Sequence, residues 1–151
     1  RDVRGVAVSG DVLIGSAGSA ELGRRLRQVP VEARRTTALA VRQSGERVLR
    51  AAQANASWSS RIPGSLTLQV RFAGRFPGAV VAARASQAPH ARPYEGITGA
   101  SEFKHPLFGN RGVWIAQATR PFLRPAVAEA GPEFADELSS AIDEAVAKSG
   151  L

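Results

Sequence analysis

The segment Leu123-Arg-Pro-Ala-Val-Ala-Glu-Ala-Gly-Pro-Glu-Phe-Ala-Asp-Glu-Leu-Ser-Ser-Ala-Ile-Asp-Glu-Ala-Val146 carries the clearest pattern in the chain. Leu123, Val127, Ala130, Phe134, Leu138, Ile142 and Val146 recur every three or four residues. On a helix of 3.6 residues per turn that spacing lays them along one face. Glu129, Glu133, Asp136, Glu137, Asp143 and Glu144 fall largely off it. The phase survives Gly131-Pro132, so the pattern predicts one kinked helix rather than two, despite the hydrogen bond that Pro132 removes. Such a helix needs an apolar surface to lie against, and the rest of the chain must supply it.

Upstream, Leu66, Leu68, Val70 and Phe72 alternate with Thr67, Gln69 and Arg71, the period of a half-buried strand. The stretch from Ala73 to Gly78 turns the chain, and Ala79-Val-Val-Ala-Ala-Arg84 makes the antiparallel return. Val113-Trp-Ile-Ala-Gln117 reads as a third strand. Before the hairpin, a helix is expected from Val31 to Ala56, with Pro30 at its start, where a missing N–H loses no bond. Ala38, Val41, Gly45, Val48 and Ala52 form its inner stripe, and Arg34, Arg35, Arg42, Arg47 and Arg50 lie mostly off it. The stripe is made of small residues, so its neighbour can approach closely. Ser19 can cap a shorter helix presenting Leu22, Leu26 and Val29. Residues 3–14 read as a short strand or an extended arm, and Ser57 to Gly64 as a loop. Residues 86–112 show no period and read as one long loop, a length seen where a connection is functional or orders on assembly.

These elements predict an α+β fold: a small, mainly antiparallel sheet, hairpin plus a further strand, packed against a long central helix and a kinked C-terminal helix. Residues 1–151 form one domain, with 1–18 as an N-terminal arm or strand. The chain is 44% hydrophobic, ordinary for a globular protein, yet only nine residues are aromatic, so aliphatic and alanine packing must dominate the core. Without cysteine, disulfides and Cys-ligated zinc are excluded. No apolar run nears the roughly 20 residues that span a bilayer, and no signal peptide is recognisable. Starting at Arg1 and lacking methionine, the sequence reads as missing a few native N-terminal residues.

The charge is uneven. Residues 1–60 hold ten Arg against five acids, residues 61–120 eight bases against two, and residues 121–151 two bases against six acids. A basic body with an acidic last helix can attract nucleic acid, or another copy of itself head to tail. The second possibility for function is therefore a DNA-binding accessory protein that uses its Arg-rich face. Aromatics near cations (Phe72, Phe76, Tyr94, Phe103, Phe108 and Trp114) can stack on bases, but they serve equally well as anchors of a sheet and its loops.

Nothing advertises catalysis. His90 and His105 stand fifteen residues apart with no clustered carboxylates, so no metal site is expected, and they read as polar loop or interface residues. No serine sits in a Gly-x-Ser-x-Gly elbow, and the glycines of Gly10 to Gly18 lack a phosphate-cradling order. Glu95 and Glu102 flank a loop, which is no basis for an acid/base pair. No enzyme and no cofactor is expected.

Three landmarks occur in order: Ile62-Pro-Gly-Ser-Leu66, Ala91-Arg-Pro-Tyr-Glu-Gly96 and Thr119-Arg-Pro-Phe-Leu-Arg-Pro-Ala126. In that order the chain resembles the neck, or tail-completion, proteins of long-tailed bacteriophages, the minor tail component and tail terminator-like family. The likeness spans roughly residues 20 to 148. The first landmark shortens the family's spacing, because Gly64 directly precedes Ser65, and the second lacks the Phe-Gly-Thr that commonly follows it.

The resemblance implies a structural virion protein at the head–tail interface, assembled in the host cytoplasm. It implies a homo-oligomeric ring, hexameric by analogy, between the head-closure or connector ring and the tail tube or its terminator, with genomic DNA passing through the lumen. Tyr94, Glu95, Arg120, Pro121, Phe122, Leu123, Arg124 and Pro125 become the expected interface and structural residues. Locally, Thr119 can cap the last helix with Pro121 in its first turn, and Phe122 and Leu123 drop between helix and sheet. Arg120 and Arg124 would then oppose the helix dipole, a penalty that a carboxylate from a neighbour's acidic last helix would offset.

Overall fold

The computed structural model describes residues 5–8, 11–14, 19–73, 78–96 and 99–148, and side chains from Arg24 onward apart from Glu32. Strands β1 (Gly5–Val8) and β2 (Asp11–Ile14) precede helices α1 (Ser19–Gln28) and α2 (Val31–Asn55). A helical turn, α3 (Ile62–Ser65), leads into the hairpin β3 (Leu66–Arg71) and β4 (Gly78–Ala83). There follow α4 (Ala91–Glu95), β5 (Glu102–Leu107), β6 (Asn110–Ala118) and α5 (Leu123–Lys148). The fold is α+β, with both long helices where the periodicity puts them.

The main sheet has the order β1-β2-β4-β3 and is antiparallel throughout. Its further strands come from the chain's start, where Gly5–Val8 and Asp11–Ile14 form two short strands; the rest of the expected arm or strand at 1–18 lies outside the described residues. Val113–Gln117 does not join this sheet. It belongs to β6, which among the described residues pairs only with β5 in a separate two-stranded ribbon, Phe103 opposite Gln117 and His105 opposite Ile115. The expected long loop at 86–112 therefore contains a helical turn and a strand. Its lack of period has a physical reason: neither face of the ribbon is a core face, so no alternation of polarity is required. Ser57–Gly64 likewise ends in a helical turn rather than in loop. Residues 74–77 of the expected turn lie outside the described residues.

β4 is hydrogen-bonded on both sides and buried on both faces, as its run of Val and Ala requires. Against one face lies α2, whose Val41, Gly45, Val48 and Ala52 are buried as the stripe predicts. Leu26, Val29 and Val41 form one core cluster with Phe134, Leu138 and Ile142 of α5. A second joins Val48, Ala52, Ile62 and Leu66 to Phe122, Leu123 and Ala126. α5 runs unbroken through Pro132. Gly131 helps, because the residue before a proline is helical only against a clash that a missing Cβ reduces. Along the α2–α5 seam, Arg47 bonds Glu137, which also accepts from Ser44. These bonds hold the Glu137 carboxyl below the ordinary range, the Arg47 bond first and the Ser44 bond second. The Arg47 guanidinium is raised mainly by the same bond.

Close approach of α2 to the sheet hangs on Gly45. A Cβ there would stand 2.9 Å from Leu68 Cδ1 and 3.2 Å from Ala79 Cβ. The adjoining void, about 30 Å³, holds at most a water or two. Gly45→Leu is expected to lower unfolding free energy by about 1–3 kcal/mol through overpacking, outweighing the roughly 1 kcal/mol gained in helix propensity. Urea denaturation measures it, and unchanged stability would show that α2 can move off the sheet freely.

Candidate functional site

The second and third landmarks, far apart in sequence, meet at one joint, and a buried carboxylate makes it. α4 is a single turn ending at Gly96, whose φ of 83° reverses the chain in a region where L side chains are strained. The turn aims Glu95 inward, where only 4% of it stays exposed. Glu95 Oε2 accepts the backbone N–H of Phe122 at 2.8 Å and of Leu123 at 2.9 Å, and Oε1 accepts that of Arg124 at 2.8 Å. These donors open α5, three of the groups every helix leaves without an internal partner. The charge also sits at the positive end of the helix dipole.

Arg124 completes the lock. Its Nε lies 3.5 Å from Glu95 Oε1, and its Nη2 donates to the carbonyls of Glu95 and, at 3.0 Å, of Gly96. The carboxylate expected from a neighbouring copy is thus supplied within the chain by Glu95, and Arg124 is engaged at home. The cap is also reassigned. Thr119 Oγ1 donates to the carbonyls of Ala100 and Ser101, each at 3.1 Å, and Pro121 precedes the helix. Pro125 occupies the first turn, where its missing N–H needs no partner. Thr119 could not cap a helix that starts four residues later.

The joint also roots the ribbon. Arg120 donates its backbone N–H to Tyr94 at 2.8 Å, and Thr119 donates its own to Ser101 at 2.9 Å. Tyr94 packs between Trp58, tilted to it, and Phe103, edge to face, with ring centroids 4.7 and 5.1 Å away, and Gln117 bonds its hydroxyl at 2.6 Å. Gln117 in turn pairs with His105 Nε2 at 2.9 Å. The Arg120 guanidinium lies over the Trp58 ring, 5.3 Å from its centroid. Of the expected interface residues, then, Glu95, Phe122 and Leu123 are buried, Tyr94 and Arg124 are half-buried, and Arg120, Pro121 and Pro125 are exposed. All eight converge on this joint.

Sequence reading missed two features. One is a Ser59 Oγ to His90 Nε2 contact of 3.4 Å across the neighbouring loops. Ser59 Oγ already accepts the backbone N–H of Arg61 and Ile62, and no described carboxylate orients His90, so the pair lacks the third member that activates a nucleophile. Among the described residues no three His, Asp or Glu side chains converge as a metal site. No described helix is long and apolar enough to cross a membrane.

The other feature is the outer ribbon. β6 is exposed on both faces over nearly its whole length, with Val113, Trp114 and Ile115 among its exposed residues. At the tip Phe108 is wholly exposed at φ 48°, followed by Gly109 at φ 80°. A tight hairpin turn wants positive φ at both positions, normally met by Asn and Gly. Val113–Gln117 was legible as a strand, but the only local sign of its hairpin with β5 was a bulky aromatic before a glycine.

Comparison of the chain with protein-family models, with curated proteins and with solved structures finds no match in any of the three.

Proposed function

We propose that this chain is a non-enzymatic structural subunit that assembles into a ring at the neck or tail end of a long-tailed bacteriophage. In this reading the ring joins head to tail or ends the tail tube, and DNA passes through its lumen. The observation that carries it is the joint. Two segments that bear the resemblance, Ala91–Gly96 and Thr119–Ala126, lock onto each other through Glu95, and the chain between them leaves the body as a ribbon that exposes Phe108, Val113, Trp114 and Ile115. An isolated two-stranded ribbon is marginal in water, so one that displays Trp and Phe is an arm in need of a partner. Light scattering across concentration and negative-stain images, with and without tail tubes, test the reading. Rings alone or capping tubes are the expected result. A monomer that never rings or caps, or one that binds duplex DNA with steep salt dependence, overturns it.

A further inference from the structure

All the exposed large apolar side chains among the described residues fall in two places: Phe108, Val113, Trp114 and Ile115 on the ribbon, and Val31 and Leu39 on the first half of α2. Beside Leu39 runs a groove of about 310 Å³ between α2 and the end of α5, formed by Ala33, Thr36, Ala40, Ala141, Glu144 and Ala145. Leu39 is 58% exposed and lies one turn from Thr36 on the same flank. The volume is at the small end of the range, about 300–1,000 Å³, of clefts that bury a ligand. Its alanine floor is apolar and lacks large side chains of its own.

We infer that this groove receives the ribbon tip of a second copy of the chain, with Phe108 and Trp114 as the inserted side chains. This rests on the ring reading and specifies its contact. Phe108 holds a left-handed backbone that disfavours a bulky residue, yet inside its own chain it touches no core. Strain of that kind persists where a partner uses it.

Reach excludes the chain's own groove. The ribbon is rooted beside the start of α5 and extends about 20 Å at strand rise. The groove lies at the other end of α5, some 27 Å or more along the helix axis. Charge fits as well. The distal ribbon carries Lys104 and Arg111; Glu144 and Lys148 line the groove as an ion pair, and one and two turns before it on α5 Glu137 and Glu133 share Arg47, which leaves an excess of one acid. Arg35 and Arg42 sit on the far side of α2 by the same phase. Two different surfaces meeting head to tail make a heterologous contact, the kind that closes into rings.

Complementation tests the contact. A Phe108→Ser, Trp114→Ser double variant and an Ala141→Arg variant, each with an unchanged melting temperature, should both self-associate on the order of 100-fold more weakly. Thr36→Arg, on the exposed rim, replaces Ala141→Arg if the latter folds poorly. Mixed in equal amounts, the ribbon and groove variants should form a dimer and nothing larger, because the mixture holds one intact ribbon and one intact groove. If the native chain forms rings and the ribbon variant still does, the docking is wrong and the ring reading stands. A mixture that stays monomeric, or that restores full rings, overturns the docking too. A native chain that is monomeric at every concentration removes both.

Discussion

Glu95→Ala is expected to lower the unfolding free energy by about 3–5 kcal/mol, the range for removing one partner of a buried ion pair. The loss has two physical sources. Three helix-opening N–H groups, of Phe122, Leu123 and Arg124, lose their acceptor, two of them on residues buried in the core. The Arg124 guanidinium is also left without its counter-charge, though its side chain is 34% exposed and water recovers part of that loss. The lower end of the range is therefore expected, a fall in melting temperature of roughly 6–12 °C for a chain this size. Glu95→Gln should lose about half as much, since its carbonyl oxygen still accepts two bonds while its amide nitrogen faces the Arg124 N–H. Thermal melts of both variants decide it. Glu95→Ala within about 1 kcal/mol of the native chain would show that water caps α5 equally well.

Phe122→Ala should cost a similar amount, about 3–5 kcal/mol, the range for emptying a fully buried aromatic site. Phe122 is the largest fully buried side chain described, and with Leu123 and Ala126 it ties α5 to Val48, Ala52 and Ile62. Its carbonyl also takes a bond from Asn55 Nδ2 at 3.2 Å, which anchors the end of α2. Phe122→Leu, which keeps most of the volume, should cost under about 1.5 kcal/mol. Equal losses for the two variants in urea titrations would mean that the site is not packed against a ring. The Glu95→Ala, Phe122→Ala double variant should lose less than the sum, because each change frees the same helix start. Strict additivity would contradict a single joint.

How much was legible in advance depended on distance along the chain. The faces of α2 and α5 and the alternation in β3 were readable because each helix or strand must hide one face, and hiding it imposes a period on nearby residues. The landmark at Thr119–Ala126 was readable as a helix entry for the same local reason. Its cap was not: Glu95 stands 27 residues before Phe122, and nothing in a Tyr-Glu-Gly step says which helix its carboxylate will meet. Of the ribbon, Val113–Gln117 was legible as a strand, but β5 and its pairing escaped because residues exposed on both faces carry no period, and that exposure now gives them their proposed role. Sequence alone thus determined the class of fold, the two long helices and the residues they bury, since these follow from local periodicity and the need to remove apolar area from water. Only the tertiary structure decided the sheet order, the separation of β5–β6 from that sheet and the closure of the α5 cap by Glu95. Those depend on which distant groups become neighbours, and many pairings satisfy the same local pattern until packing selects one.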